Sequence, residues 1–414
     1  MNYQPNREFS EELDQKDPLK FYREKFYYPK MEDGKDVLYL CGNSLGLQPK
    51  SAREFTEREF LVWEKDGVLG QHGRWEKFHE KLTDNSARLV GAKPSEVVVM
   101  NALTVNINLL LVSFYQPNQF RHKIIIEKGA FPSDQYAVES QIKLHGFDPK
   151  ESLVELKPRR GEHTLRIEDI ISTINEIGDE LSTVLLGGVN YYTGQAFDMK
   201  SITEAGQLVG ALVGFDLAHA AGNLVLKLHD WNVDFAAWCT YKYLCAGPGA
   251  PSGIFIHEKH HDWKGPRFNG WWGHDKKTRF KMEPNFIPIQ TTEGWQISNA
   301  PVLGMAPLRA SMAIFDEVGM EAFRNKSEEL TAFVEFLINE KLPDVKIITP
   351  KNPKERGCQL SLVIPGRESV FEGISAKGVI CDWREPDVIR IAPNPLYNRF
   401  SELYDFVEIL ESTL

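Results

Sequence analysis

The sequence predicts an α/β fold, in which a large domain built on a mostly parallel, helix-covered sheet is followed by a smaller α+β domain. Three observations carry this prediction. From about residue 95, short runs rich in Val and Ile alternate with helix-periodic segments, the signature of βα units. Near residue 300 the alternation gives way to two long helical stretches and a set of short strands. The 414 residues also exceed what one hydrophobic core usually organises, so two domains are expected.

In chain order, a polar start leads to "VLYLCGNSLGLQPK", a short apolar strand followed by a Gly/Asn/Ser turn at Gly42 to Gly46. Six strands of the large sheet are expected at "VVVM" (97–100), "KIIIE" (123–127), "TVLLGG" (183–188), "LVGFD" (212–216), "DFAAWC" (234–239) and "GIFIHE" (253–258). Between them "NINLLLVSFY", "IEDIISTINEIG" and "SITEAGQLVGA" have helical character. Past residue 300, "NAPVLGMAPLRASMAIFDEVG" forms a long helix. "EELTAFVEFLINEKL" forms an amphipathic one, with Leu330, Phe333, Val334 and Leu337 on one face. Short strands at "VKIIT", "QLSLVI" and "VIRIA" precede a final helix from Ser401. Residues 1–50 are expected as an N-terminal segment packing near the small domain and the active site, 51–305 as the large domain and 306–414 as the small one.

Composition narrows the function. A net charge of -10 lacks the basic stripe that phosphate backbones require, so nucleic acid is not an expected partner. Five cysteines without a CxxC pair argue for a reducing compartment rather than a disulfide framework. No segment has the length of a membrane span and the first residues lack an apolar signal core. A cytoplasmic protein is expected.

In open α/β sheets, ligands gather beyond the carboxyl ends of the strands, and polar residues concentrate there. After "VVVM" comes Asn101-Ala-Leu-Thr104, leading into a helix whose first N–H groups suit a phosphate, with the Thr104 hydroxyl as a further donor. "GAFPSDQYA" offers Phe131 to stack on a flat ring and Ser133 to bind phosphate; the plain alternative is a turn with Ser133 or Asp134 as a helix cap. "LVGFDLAHAAGN" ends a strand on Asp216, with His219 three positions on. A carboxylate there can hold a protonated pyridine nitrogen; the alternative is a cap beside a structural histidine. Finally "WCTYKYLCAGPGA" sets Lys242 between two tyrosines, one helix and one strand later. On its own it can be a loop lysine with its head in solvent. Beside a phosphate donor, a stacking ring and an acid in compatible order, it is better explained as the amine that binds an aldehyde cofactor.

Other candidates are weaker. "HEKHHD" places His257, His260, His261 and Asp262 on a loop without the i, i+4 face of a zinc protease, so no metal is expected. "GPG" at 247–249 lacks the Lys-Ser/Thr of a P-loop.

The chain resembles the kynureninase family. "YLCGNSLGLQPK", "FPSDQYA", "YYTGQ", "VGFDLAHAAGN", "WCTYKYLCAGPGA", "GWWGH", "RFKM" and "ISNAP" are similar to that family's segments, in family order, over nearly the whole chain. The resemblance implies an aspartate-aminotransferase-like fold (PLP fold type I) with a seven-stranded sheet. It implies pyridoxal 5'-phosphate as cofactor and hydrolysis of L-kynurenine or 3-hydroxy-L-kynurenine to L-alanine and the aromatic acid, in tryptophan degradation and NAD biosynthesis. It also implies a homodimer with active sites at the interface. Lys242 would be the Schiff-base lysine and the base for the Cα proton, Asp216 the partner of the pyridine nitrogen with His219 close by, and Tyr241 a candidate proton donor. Phe131 would stack on the ring, with Leu103, Thr104, Ser133, Asp134 and Tyr241 around the cofactor and its phosphate. Trp271 and Asn299 would come from the other subunit, and Arg390 would clamp the substrate carboxylate; the alternative for Arg390 is a strand-edge surface residue. Ser44 and Ser298 fall in matching segments and join Asn299 and Arg390 as expected substrate contacts. Gly187 departs from relatives with a hydroxyl residue there, which removes one polar contact. Asn299 leans toward the 3-hydroxy substrate, and His72 has no secure counterpart. The rival within the same fold is a cysteine desulfurase or lyase, which needs a cysteine on a long mobile loop.

Overall fold

The structure is a computed structural model that describes residues 2–364 and 368–414. The N-terminal helix α1 (Arg7–Lys16) is followed by the two-residue strand β1 (Leu38–Tyr39) and by helices α2 (Ala52–Asp66) and α3 (Thr83–Val90). The central part runs β2 (Val97–Met100), α4 (Leu103–Phe114), β3 (Lys123–Glu127), α5 (Pro132–Leu144), the single-turn α6 (Pro149–Ser152), β4 (Leu153–Leu156) and α7 (Ile167–Ile177). It continues with β5 (Leu181–Gly187), α8 (Met199–Leu208), β6 (Leu212–Asp216), β7 (Phe235–Trp238) and β8 (Ser252–Ile256). The C-terminal part holds α9 (Val302–Val318), α10 (Met320–Lys341), β9 (Lys346–Ile347), β10 (Leu360–Val363), α11 (Glu368–Ala376), β11 (Val379–Ile380), β12 (Asp382–Arg384), β13 (Val388–Ile391) and α12 (Phe400–Glu411).

Seven strands form the large sheet in the order β2-β8-β7-β6-β5-β3-β4. Only β8 runs antiparallel to its neighbours; the β7-to-β4 run is parallel throughout. The strands are near-continuous apolar runs because both faces are covered, as expected of parallel sheets. Along β2, Val97 and Val99 enter one core and Val98 and Met100 the other, which is the two-residue period of a pleated strand buried on both sides. All six expected strands are present, three with the expected ends and three with ends shifted by one or two residues, and the seventh is β4, "LVEL", at the sheet edge.

The C-terminal part has its own four-stranded antiparallel sheet, β12-β13-β10-β9. It packs on α10 and α12 through Leu330, Phe333, Leu337, Leu360, Ile389 and Phe406, and the N-terminal Leu13 and Leu40 join this same apolar cluster. The short strand β1 pairs with β11 rather than with the large sheet. No helix among the described residues is long and apolar enough to cross a membrane.

Candidate active site

The parallel strands bring three residues into a row at their carboxyl ends. Glu127 closes β3, Gly187 closes β5 and Asp216 closes β6, with Gly187 and Asp216 in register. Beyond them lies a cavity of about 180 Å³. Leu103, Thr104, Phe131, Ser133 and Asp134 line it from the starts of α4 and α5. Asp216, His219, Tyr241 and Lys242 line it from the loops after β6 and β7. Nine of the residues expected at a cofactor therefore share one cavity.

Local sequence explains each placement. Asn101 takes a left-handed φ of 46°, tolerable for Asn, and turns the chain from β2 into α4. The Ala102 N-cap of α4 and the Phe131 N-cap of α5 have no side-chain cap bond. Ser133 and Asp134 are thus first-turn residues rather than caps; the N–H groups that open α4 and that of Ser133 suit an anion, while Pro132 has no N–H and Asp134 N donates to the Phe131 carbonyl at 2.9 Å. Behind Lys242, Gly46 donates its N–H to the Tyr241 carbonyl at 2.9 Å. A Cβ at Gly46 would overlap the Lys242 carbonyl and the Cys245 thiol, so glycine is required where the "GNSLG" turn meets the lysine loop.

The electrostatics centre on Lys242. Its Nζ donates to His219 Nε2 at 3.1 Å, and His219 Nδ1 lies 3.4 Å from the Tyr243 hydroxyl. Burial, then the Lys242 charge, holds His219 well below the usual histidine range; the ring is neutral and accepts the lysine proton. The amine also lies 5.7 Å from the Phe131 ring centroid. Asp216 accepts from Ala218 N at 2.7 Å, and burial raises its pKa. Asp134 is raised well above the carboxylate range, by burial first and then by the Asp216 charge. Two buried acids facing each other resist double ionisation unless a cation joins them.

Arg390 stands apart from this cavity on β13, an inner strand of the small sheet, with its side chain 1% exposed. The surface-edge alternative is therefore excluded. Asp382, directly opposite in register, binds it through two oxygens, Nε–Oδ1 at 3.1 Å and Nη2–Oδ2 at 2.5 Å. Ser44 donates to the same carboxylate at 2.6 Å. Trp271, Ser298 and Asn299 do not line the cavity: Trp271 Nε1 donates to the Arg279 carbonyl and Ser298 Oγ to Asn299 Oδ1. His72 is exposed and contacts Glu76. His257, from the "HEKHHD" stretch, lies beyond the cavity at the far end of β8 with His229 near Glu96. That carboxylate already accepts the Lys93 and Glu258 N–H groups.

Sequence reasoning missed Glu127, Asn190, Tyr191 and Asp382. Glu127 carried the signal that found Asp216, an acid closing an apolar strand; the other three depend on loop and register geometry that no local pattern encodes.

An amine, a buried acid pair short of one cation, an aromatic wall and two uncapped helix starts match the aldehyde, pyridinium, ring and phosphate of pyridoxal phosphate. The fold is that of the fold-type-I pyridoxal phosphate enzymes. An apo cysteine desulfurase from Thermococcus onnurineus superposes with a TM-score of 0.75 at 18% identity, covering 91% of this chain and 94% of that one. A lyase variant with glycine covalently linked to its PLP cofactor gives 0.78 at 17% identity, over 90% and 96%. Sequence likeness is closer. Residues 323–410 match the kynureninase C-terminal domain model. A kynureninase of Flavobacterium psychrophilum is 54% identical over 99% of both chains. One of Myxococcus xanthus is 54% identical over 99% of this chain and 97% of its own, and one of Nematostella vectensis is 47% identical over 98% and 94%. The chain belongs to the kynureninase family.

Proposed function

We propose that the protein binds pyridoxal phosphate through Lys242 and hydrolyses the Cβ–Cγ bond of L-kynurenine or 3-hydroxy-L-kynurenine, releasing L-alanine and anthranilate or 3-hydroxyanthranilate. The observation that carries this reading is the meeting of Lys242, His219 and the Asp134/Asp216 pair in one cavity of a chain similar end to end to kynureninases.

Thr104, Ser133 and the N–H groups of the two helix starts would hold the phosphate, and Phe131 would cover the ring. Bound pyridoxal phosphate supplies an electron-withdrawing ring that acidifies the substrate Cα. Asp216 keeps a proton on that ring, and Asp134 shares its charge. Lys242 Nζ takes the Cα proton, while the neutral His219 orients the amine by accepting from it. Tyr241, whose hydroxyl burial pushes up to about 12, stays protonated at neutral pH and serves as the acid when water adds at the γ-carbonyl. Arg390, aligned by Asp382, pairs with the substrate carboxylate. Trp271, Ser298 and Asn299 complete the site from a second copy of the chain; the exposed Trp271, Phe268 and Phe280 favour such a homodimer. A large domain on the seven-stranded sheet and a small one on the four-stranded sheet are supported by the two separate sheets, with α9 belonging to the large one, since its Met305, Leu308, Met312 and Phe315 pack in that core. Five free thiols fit a reducing, cytoplasmic setting.

The cysteine desulfurase alternative is disfavoured. Cys239, Cys245, Cys358 and Cys381 are buried and Cys41 is largely so. Burial raises Cys239 to about 11 and Cys358 to about 12, so no accessible thiolate is available. The deciding experiment gives cofactor-loaded protein L-kynurenine and 3-hydroxy-L-kynurenine separately and measures kcat/KM from aromatic acid release. Turnover of either supports the proposal, and the ratio reports on Asn299, with tenfold corresponding to about 1.4 kcal/mol. Cofactor binding without turnover of either refutes it.

A further inference from the structure

Glu127 belongs to none of the roles above, yet it lies fully buried against the cavity. Its side chain crosses the end of the neighbouring strand. Oε1 accepts the Gly187 N–H at 2.8 Å and Oε2 accepts Asn190 Nδ2 at 2.5 Å. A Cβ on residue 187 would lie 2.9 Å from Oε1, so glycine is what admits the carboxylate.

The segment that Glu127 holds, residues 187–192, touches both halves of the site. Asn190 Oδ1 accepts from Tyr192 N, Thr193 N and the Thr193 hydroxyl. This fixes the amide orientation and leaves Nδ2 pointed at Glu127. On one side the Tyr191 ring meets the Phe131 ring edge to face, with centroids 5.4 Å apart. On the other, the Tyr191 carbonyl accepts Arg390 Nη1 at 2.5 Å and Gln359 Nε2 at 2.9 Å, while Ser361 Oγ donates to the Tyr192 carbonyl at 2.6 Å. The large sheet grips this loop through Glu127, and the small sheet grips it through Arg390, Gln359 and Ser361.

We propose that Glu127 is a positioning residue: by holding the 187–192 segment it sets Tyr191, and through the Tyr191 carbonyl it sets the Arg390 guanidinium that receives the substrate carboxylate. This rests on the function proposed above for Arg390. The carboxylate acts without touching the substrate, and its effect falls on carboxylate binding rather than on cofactor capture.

The test uses Glu127→Gln and the reciprocal double variant Glu127→Gln/Asn190→Asp. The single substitution sets an amide against the Asn190 amide, and Asn190 cannot turn over without losing its three loop bonds. The double variant restores a donor–acceptor pair with the direction reversed and the charge kept. Two constants are measured for each protein: pyridoxal phosphate affinity by titration into the apo protein, and L-alanine affinity from the change in absorbance of the loaded protein. Expected for E127Q at pH 8, where the Glu127 carboxyl is ionised, is L-alanine binding weaker by about tenfold, the loss of a bond to a charged acceptor. Cofactor affinity should stay within about threefold, and the double variant should bind L-alanine as the wild type does. Unchanged L-alanine binding in E127Q overturns the assignment. So does an equal loss of both affinities, or a double variant that does not recover. Wild-type protein that binds L-alanine but leaves both kynurenines intact overturns the proposed reaction alone; wild type that does not bind L-alanine overturns the assignment, and the reaction with it only where both kynurenines also stay intact.

Discussion

Lys242 Nζ donates to a neutral histidine, His219 Nε2, across 3.1 Å. The pairing is directional: burial and the lysine charge keep His219 deprotonated, so it accepts and does not compete for the lysine proton. His219→Gln keeps an acceptor, whereas His219→Leu removes it. A hydrogen bond to a charged group contributes about 1.5–3 kcal/mol. His219→Leu should therefore lower kcat/KM by about 10- to 100-fold, and His219→Gln by only a few-fold. The kcat/KM profile between pH 6 and 9 should show no limb that His219→Gln removes. Equal activity in the two variants contradicts the assigned role.

Burial places the Glu127 carboxyl at about 7, against roughly 4.3 for an exposed glutamate. The folded-state pKa is the higher one, so the native apo protein binds the proton more tightly than the unfolded chain. Stability from this group is complete below about pH 4 and is lost as pH rises toward 7. Each pH unit across that interval is about 1.4 kcal/mol, or about 4 kcal/mol in all. Asp134, Asp216, Lys242 and His219 also face this cavity, and the acid pair, also raised, adds a loss of the same sign. Urea unfolding of apo wild type and Glu127→Gln at pH 5 and pH 8 separates them: the wild type should lose about 2–3 kcal/mol more than the variant. Equal losses place the carboxyl in its ordinary range.

Gly46 sits where no side chain fits, against the Lys242 carbonyl and Cys245. Gly46→Ala must push the lysine loop away or strain the turn, an overpacking cost of about 1–3 kcal/mol. The expected result is a lower urea midpoint together with altered visible circular dichroism of the bound cofactor, because the loop that moves carries Lys242. A stability loss with an unchanged cofactor signal would show that the strain is absorbed by the N-terminal turn.

What the sequence disclosed follows from how far each signal reaches along the chain. Asp216 and Lys242 were legible because each lies at or just beyond the end of a strand whose apolar run is unmistakable, and His219 followed three positions from one of them. The edge strand β4 escaped because "LVEL" is four residues long and carries Glu155, too short for its period to stand out. Asp382 escaped for a similar reason. It opens a three-residue strand, "DWR", and its pairing with Arg390 exists only once β12 and β13 align. Asn190 and Tyr191 act through a loop docked between two sheets, and no local pattern reports that docking.

Asp382 and Arg390 form a buried pair, 9% and 1% exposed. Burial alone would raise the carboxyl, but the hydrogen bond and charge of Arg390 hold it below the usual range. Its stabilisation is thus complete at neutral pH and disappears only as pH falls through that lowered value. Removing Asp382 strands the Arg390 charge in a low-dielectric site, at a cost of about 3–5 kcal/mol, whereas removing Arg390 leaves Asp382 still paired with the part-exposed Arg384 at 3.0 Å. Asp382→Ala should lose roughly that much in urea unfolding at pH 7, and Arg390→Ala less, because Arg384 still pairs with Asp382. The double variant should lose clearly less than their sum, since the charge then left without its partner is Arg384, whose side chain is 39% exposed. The functional consequence differs between the two: Asp382→Asn should raise KM while largely sparing kcat, because Arg390 keeps its charge but not its alignment. Arg390→Lys should lower kcat/KM by about 10- to 100-fold, because a point charge cannot make the two parallel bonds. Additive stability losses would mean that the two side chains are held by their other neighbours, Tyr191, Ser44 and Arg384, rather than by each other.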